Sequence, residues 1–187
     1  MTEPFDADAL DAMSVADFET AVAPLFEGAH RFLTRLAGTR PHGSMETFFG
    51  HAREIVHEMP DAEQVELIDA HPRLGAPPAS LSSLSYVEQG YDRGGPGAAI
   101  EAERIRVAEE LERLNDSYEA RFGFRYCTFV AGRSRAALLD EIELALERDR
   151  DSELHRALDA VIDIAKDRHA KLIRAAEARA APLEDPA

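Results

Sequence analysis

The residues that could do chemistry begin with a histidine directly before a proline, His71, in the stretch Asp-Ala-His-Pro-Arg-Leu-Gly that ends at Gly75. Because proline disfavours helical geometry in the residue before it, the helix predicted ahead of this stretch must end at the histidine. The unperturbed pKa of an imidazole lies near neutrality, so a histidine held at such an end could transfer protons. The alternative is a surface histidine, favoured there by the negative end of the helix dipole.

A second candidate is the glutamate in the stretch Ser-Tyr-Val-Glu-Gln at residues 85–89. The pattern Ser-x-x-Glu predicts a capping box, in which Ser85 and Glu88 each accept the other's backbone N–H. A carboxylate in a capping box begins a helix and by itself indicates nothing about catalysis. Glu88 is therefore either a structural cap or a functional carboxylate.

Histidines and carboxylates elsewhere leave a metal site as an alternative. Glu54 and His57 form a Glu-x-x-His element, and His51 lies on the same predicted helix. A carboxylate-bridged di-iron bundle needs two such elements and two further glutamates. The other histidines lack ligand spacing and are interpreted as surface or satisfied residues, namely His30, His42, His155 and His169. A further alternative, an acidic helical interaction protein without catalysis, would explain the charge but not the candidate residues.

Helical periodicity dominates the chain, and no stretch shows the sustained alternation of a strand. We therefore expect an all-α, single-domain bundle of about seven to nine helices over residues 1–187, with an ordered core from about 8 to 178. The helices are predicted to begin after Ser14, with an interruption at Gly28, and then to run from Ser44 to Pro60, Asp61 to Ala70, Ser85 to about Tyr91, about Ala98 to Arg121, Ser134 to about Arg148, and Ser152 to about Ala178.

The helix from about Ala98 to Arg121 should end with Gly123 as the residue after its last turn. A connector rich in aromatic residues, from Phe122 to Gly132, follows it and is open to an extended conformation. The short helix before the long one should be ended by the glycines at positions 94, 95 and 97. Apolar residues at spacings of three and four predict the buried face of the long helix, which would contain Ile100, Ile105, Ala108, Leu111 and Leu114.

Acidic side chains number 36 against 21 basic ones, which gives a formal net charge of −15. Proteins bind nucleic acid by neutralising phosphates with Lys and Arg, so this balance argues against a nucleic-acid partner. Only two of the cations are lysines, Lys166 and Lys171. The acidity fits either a solvated surface encoded by a GC-rich genome or adaptation to high intracellular salt. On such a surface, an anionic substrate would need local cations.

Further features of the sequence concern its compartment. No apolar run is long enough to span a membrane, and the acidic N-terminus lacks the features of a secretory signal. The one cysteine, Cys127, cannot form an internal disulfide, which fits a reducing environment. Together these features predict a cytoplasmic protein.

Four motifs, in this order, resemble those of the 2-oxo-4-hydroxy-4-carboxy-5-ureidoimidazoline (OHCU) decarboxylase family. They are His-Pro-x-Leu-Gly at 71–75, Ser-x-x-Glu-Gln at 85–89, Leu-Asn-x-x-Tyr-x-x-Arg-Phe-Gly-Phe at 114–124, and Ile-Ala-x-x-Arg at 164–168. The resemblance covers nearly the whole chain. Each motif is weak alone, but four in order are unlikely to agree by accident.

The resemblance implies catalytic roles for His71, Glu88 and Arg168, with the arginine holding the substrate. It implies a substrate-binding set of Pro72, Ser85, Tyr86, Val87, Gln89, Phe124, Arg125, Tyr126, Cys127 and Thr128, the last five mainly through their backbone. The chain departs from the family where Arg125 replaces a usual proline and His169 a usual leucine. A glycine-rich insertion also follows Gln89 and the residues Gly-Tyr-Asp after it.

The implied function is the decarboxylation of an anionic ureidoimidazoline to (S)-allantoin and CO2 during uric acid degradation. The substrate carries its own electron sink, a C=N bond beside the carbon that bears the carboxylate. No metal, pyridoxal or thiamine is therefore expected as a cofactor, and the sequence shows none of their signatures. The resemblance also implies a homodimer.

Overall fold

A computed structural model describes residues 6–92 and 98–180. Within these ranges all regular structure is helical, which confirms the all-α prediction. The α-helices of the described residues are α1 (Ala7–Asp11), α2 (Val15–Val22), α3 (His30–Ala37), α4 (Met45–Glu58), α5 (Asp61–Ala70), α6 (Ser83–Glu88), α7 (Ala98–Phe122), α8 (Leu139–Leu146) and α9 (Arg150–Ala180). Three short 3₁₀ helices occupy Ala23–Leu25, Pro78–Ser80 and Ala136–Leu138. No helix in the described ranges is long and apolar enough to cross a membrane.

The chain divides into two compact units. The central unit runs from Met59 to Val161, and the terminal unit combines the residues up to Glu58 with those from Ile162 onward. Helix α9 thus begins in the central unit and ends in the terminal one. The single domain expected over residues 1–187 stays a prediction.

Several helix ends lie where the sequence predicts them. The Ser14 hydroxyl accepts the N–H of Asp17 (3.2 Å) and caps α2. The Ser44 hydroxyl accepts the N–H of Thr47 (3.1 Å) in the same way before α4. Helix α5 spans the predicted residues, because Pro60 precedes it and the backbone at its other end turns extended. Serine and proline at a helix start supply what the first turn needs, an acceptor or a residue without an N–H.

Two predicted caps are wrong. Helix α9 begins at Arg150, and its cap is Asp149, whose carboxylate accepts both the N–H of Ser152 (2.9 Å) and its hydroxyl (2.7 Å). Aspartate is as good a cap as serine, and it comes first along the chain. Ser134 does accept the N–H of Ala137 (3.2 Å), but the turn that follows is the 3₁₀ helix at 136–138. Helix α8 begins only after that turn and is shorter than predicted.

The buried face of α7 also differs from the prediction. Leu111 and Leu114 are buried as expected, but Ile105 is 52% exposed and Ala108 is exposed. Val107 lies inside instead, and it continues the three-and-four spacing of the two leucines at the other end of the face. The side chain at position 100 and residues 94, 95 and 97 lie outside the described part of the structure. Helix α6 ends at Glu88, earlier than the predicted Tyr91, and Gly90 just after it has a φ of 72°. The end of α7 is as predicted: Gly123 has a φ of +80° and donates to the carbonyl of Glu119.

The terminal unit is built around phenylalanine rings. Phe26 contacts Phe32 edge to face (centroids 4.7 Å apart) and lies 6.4 Å from Phe48, and all three are buried. Phe48 in turn contacts Phe18 at 6.3 Å. Such rings bury a large apolar area and prefer these tilted contacts. They join α2, α3 and α4.

A histidine pair lies beside this cluster. His42 is 4% exposed, with its ring stacked on Phe18 (5.9 Å) and edge-on to Phe48 (5.1 Å). Its Nδ1 atom is 3.0 Å from Nδ1 of His51. One of these nitrogens must donate and the other accept, so the contact requires at least one neutral imidazole.

Burial lowers the pKa of His42; the carboxylate of Asp11 opposes this shift, while His51 and Arg40 add to it. The ordinary value of 6.5 then belongs to the unfolded chain, which binds the proton more readily than the folded one. This group therefore adds a loss of stability as the pH falls below about 6.5. We expect His42→Gln to flatten the decline in the free energy of unfolding between about pH 7 and pH 5, measured by denaturant titration. A slope in His42→Gln equal to that of wild type would contradict this assignment.

Candidate active site

His71 lies where α5 ends. Its backbone is extended (φ −76°, ψ 138°) and its ring is buried, with 4% of the residue exposed. Nδ1 is 3.2 Å from the carbonyl oxygen of Leu67, one turn earlier in the helix. A carbonyl can only accept, so Nδ1 carries the hydrogen and the lone pair of the neutral ring is on Nε2. The helix thus selects one tautomer and makes Nε2 the nitrogen able to take or return a proton.

Helix α7 holds the segment that follows His71. The guanidinium of Arg73 binds both carboxylate oxygens of Glu119 (2.6 Å each) and one of Asp116 (2.9 Å). These carboxylates raise the pKa of Arg73, which stays charged. Asn115, itself buried, donates its amide N–H to the carbonyl of Leu74 (2.9 Å). The paired geometry at Glu119 fixes direction as well as distance.

Gln89 ties helix α6 to the same segment. Its side-chain oxygen accepts the N–H of Gly75 (2.7 Å), and its side-chain N–H donates to the carbonyl of Arg73 (3.0 Å). The hydroxyl of Tyr91 donates to the carbonyl of Ala76 (2.7 Å). The structure therefore brings the segment after His71 together with the 85–89 stretch. Pro72 is half-buried within the segment.

The predicted capping box of α6 is wrong. The hydroxyl of Ser82 accepts the N–H of Ser85 (3.2 Å), so Ser82 is the cap and α6 begins at Ser83. Three serines within four positions could each begin this helix, and the first of them does. Ser85 is buried (2% exposed) in the first turn, and Glu88 is the half-buried last residue of α6. A carboxylate at a helix C-terminus gains nothing from the helix dipole, so capping does not account for Glu88.

The rest of α6 and its neighbourhood are more open. Tyr86 is half-buried and donates its hydroxyl to the carbonyl of Tyr91 (3.2 Å), while its ring stacks on that of Tyr91 (5.5 Å). Val87 is 40% exposed.

Residues 124–128 form the first part of the connector, and most of their side chains lie in the core. Phe124 and Tyr126 are buried, with rings 5.7 and 5.2 Å from that of Tyr118. Cys127 is buried as well, whereas Arg125 and Thr128 are half-buried. To a ligand this stretch can offer mainly its backbone and the side chains at 125 and 128.

A buried polar cluster lies behind the connector. Glu153 is fully buried and accepts from the hydroxyl of Tyr118 (2.8 Å) and from Nε of Arg156 (2.8 Å). Arg156 also donates to the carbonyl of Cys127 (3.0 Å). Burial raises the pKa of Tyr118, and that of Tyr126 in the same way, so both phenols stay neutral. The cluster fixes the backbone of the connector from the inside.

Arg125 connects the connector to the end of α5. Its backbone N–H donates to Oδ1 of Asp69 (2.8 Å). Its Nη1 donates to the carbonyls of Asp69 (2.6 Å) and His71 (3.1 Å). Of the residues predicted from the motifs, Arg125 therefore bonds the main chain of His71 directly, and Gln89 bonds the segment that follows His71.

Arg168 belongs to the terminal unit and is 1% exposed. Its Nη2 donates to Oε1 of Glu27 (2.7 Å) and its Nη1 to the carbonyl of Pro24 (3.0 Å). A buried cation needs such compensation, because its desolvation is costly. Glu27 has a φ of 51°, and Gly28 after it has a φ of 74°, so the loop that surrounds this guanidinium runs through left-handed backbone.

A cavity of about 490 Å³ opens in the central unit, on another set of residues. Gln89 is the member of the predicted site that lines it, together with Gly90, Glu103, Arg104, Val107, Gly132, Arg133, Ser134, Arg135 and Ala136. This cavity therefore lies outside the set that surrounds His71. Among residues 6–92 and 98–180, no three His, Cys, Asp or Glu side chains lie close enough to hold a metal ion, Glu54 and His57 included.

Sequence reasoning missed the residues that hold the His71 segment. Asn115 belongs to the Leu-Asn-x-x-Tyr motif, whose plain interpretation was only a helix. Arg73, Glu119 and Tyr91 carried no signal of their own. The one available hint was a lone asparagine inside an amphipathic helix, since buried amides need partners.

A family model for OHCU decarboxylase matches residues 11–170. The chain belongs to the OHCU decarboxylase family. The uric acid degradation bifunctional protein PucL of Bacillus subtilis is 30% identical over 169 residues, which are 90% of this chain and 33% of that protein. The chain thus spans about a third of the length of the Bacillus relatives it matches.

Two other comparisons cover most of each partner. The 2-oxo-4-hydroxy-4-carboxy-5-ureidoimidazoline decarboxylase of Haloferax volcanii is 26% identical over 80% of this chain and 84% of its own length. A crystal structure of OHCU decarboxylase in the presence of (S)-allantoin has a TM-score of 0.61 at 23% identity, and covers 81% of this chain and 96% of that one. The structural likeness supports the helical fold.

An added side chain at Gly75 would be both strained and crowded. This glycine has a φ of +84°, and a Cβ placed there would lie 3.0 Å from Cδ1 of Leu111. Gly123 has a similar φ of +80° with no atom within 4 Å of an added Cβ, so it isolates the backbone contribution. We expect Gly75→Ala to lower the free energy of unfolding by roughly 1 kcal/mol or more beyond Gly123→Ala, because it adds overpacking to the strain. Denaturant titration measures this difference, and equal losses would contradict it.

Proposed function

We propose that this chain is a carboxy-lyase that converts OHCU to (S)-allantoin and CO2 in uric acid degradation, without a cofactor. Membership of the OHCU decarboxylase family supports the proposal. The observation that carries it is the buried His71, held in one tautomer, in a segment hydrogen-bonded to the helix that bears Glu88. General acid–base catalysis requires a proton-transfer group that is held in place and in a defined state.

The chemistry needs little more than positioning. The C–CO2 bond breaks, its electron pair moves toward the neighbouring C=N bond, and a proton delivered to one face of the ring gives the (S) product. In this proposal Nε2 of His71 moves protons, and the carboxylate of Glu88 orients the substrate or His71. Which of the two supplies the final proton stays open.

The family motifs imply which residues would bind the substrate. The backbone of residues 124–128 and the side chains at 72 and 85–89 would surround the ring, and Arg168 would hold the carboxylate. Because Glu27 already neutralises Arg168, the substrate anion must share this cation with a protein carboxylate. We also propose a homodimer, which the resemblance to the family implies, and a cytoplasmic location, which the features of the sequence predict. Analytical ultracentrifugation tests the first of these.

The first test supplies freshly generated OHCU and follows (S)-allantoin by circular dichroism. Wild type should form it much faster than the spontaneous decay, and no acceleration would refute the function. We expect His71→Asn to lose about 10²- to 10⁴-fold in turnover, the usual cost of losing a general acid or base. Asparagine can still donate to the carbonyl of Leu67, so the fold should be kept. Near wild-type turnover would remove His71 from the mechanism.

A second test concerns Glu88. We expect Glu88→Gln to melt within a few degrees of wild type and to lose on the order of 10² or more in turnover, because the amide cannot carry the charge. Ser82→Ala is the matched control in α6, since it costs about 1 kcal/mol of capping and leaves the carboxylate in place. If Glu88→Gln retains full turnover while Ser82→Ala behaves as expected, the carboxylate has no part in the reaction.

A further inference from the structure

We propose that Arg125 is a positioning residue, which sets the placement of His71 relative to the connector at 124–128. The inference rests on the proposed function, in which the imidazole and the connector backbone face the same substrate. It differs from the substrate contact through the backbone that the motifs imply, because the backbone N–H of Arg125 is bonded to Asp69 and its guanidinium to carbonyl oxygens of the protein.

The end of α5 gives this arginine its role. The last carbonyls of a helix lack partners within the helix, and a cation there is favoured by the helix dipole. Nη1 of Arg125 reaches one such oxygen, that of Asp69, and also the carbonyl of His71 just after the helix. A single side chain thus satisfies the helix end and the peptide group of the residue that bears the imidazole.

His71 is consequently held from two directions. Its ring is fixed through Nδ1 by the carbonyl of Leu67, and its main chain is fixed by Arg125. A ring held only by the bond to Leu67 could still shift with the extended backbone on which it stands. Since a displacement of about 1 Å can cost on the order of 10²-fold in rate, the second anchor matters for catalysis.

Arg125 is equally well fixed on its own side. Its neighbours Phe124 and Tyr126 are buried, and the carbonyl of Cys127 accepts from Arg156. Its backbone N–H is bound by the carboxylate of Asp69. The arginine therefore links the connector to the end of α5 within the central unit.

Steady-state kinetics on OHCU separate positioning from substrate contact. We expect Arg125→Ala to lose about 10- to 100-fold in kcat while KM stays close to wild type, because the lost interaction acts on the reacting group. Arg125→Lys, which can still donate to one carbonyl, should lose less. Millimolar guanidinium should restore part of kcat to Arg125→Ala, and sodium chloride of equal ionic strength should not.

The control is Arg121→Ala, which removes an exposed arginine that also donates to a backbone carbonyl, that of Arg148. It should keep wild-type kinetics. A rise in KM with kcat retained in Arg125→Ala would overturn the proposal in favour of direct substrate contact. A loss shared by Arg121→Ala, or absent from Arg125→Ala, would overturn it as well.

A measurement without substrate keeps this inference separate from the proposed function. Long-range ¹H–¹⁵N spectra distinguish the tautomers of histidine rings, and His71→Asn identifies the signal of His71. We expect the Nδ1–H tautomer in wild type. In Arg125→Ala the backbone of His71 can shift and weaken the bond from Nδ1 to Leu67, so we expect a mixed population of tautomers. An unchanged ring would refute the positioning role. Absence of turnover in wild type, together with a changed ring in Arg125→Ala, would refute the proposed function alone.

Discussion

Helix α5 cannot continue through Pro72, and the polar groups of the backbone that it leaves at residues 69–75 need partners within the protein. A buried N–H or C=O without a partner costs as much as a lost hydrogen bond. Gln89 from α6, Asn115 from α7 and Arg125 from the connector supply those partners. Satisfying one short irregular segment thereby arranges the main elements of the central unit around His71.

Local chemistry made part of the fold predictable. Pro60 and Pro72 bracket α5, and Ser14 and Ser44 cap the helices that follow them, so these ends could be predicted from neighbouring residues. The start of α6 could not be predicted in this way, because the serines at 82–85 offer equivalent acceptors and only the packing of the helix selects one. The prediction of the buried face of α7 was wrong for a related reason, since an isoleucine and a valine two positions apart fit the same periodicity.

The candidate site shows the same division. Motifs pointed to His71 and Glu88 because their signals lie within a few residues. What holds the arrangement together is remote in sequence, since Asn115 bonds a carbonyl 41 residues earlier and Arg168 pairs with Glu27 at a separation of 141. No pattern within one amino-acid sequence indicates such distant pairs. Local patterns in the sequence therefore predict the candidate residues of the site but not the partners that hold them.

The amides of this chain show a last consequence, which concerns how the protein ages. Its only glutamines and asparagine are Gln64, Gln89 and Asn115, and all three are buried. Gln89 donates and accepts at once, which a carboxylate could not do, whereas exposed positions carry Asp and Glu freely. Amides are among the thermolabile side chains, and all three here lie inside the fold. Chemical ageing at these positions is therefore coupled to local opening of the structure.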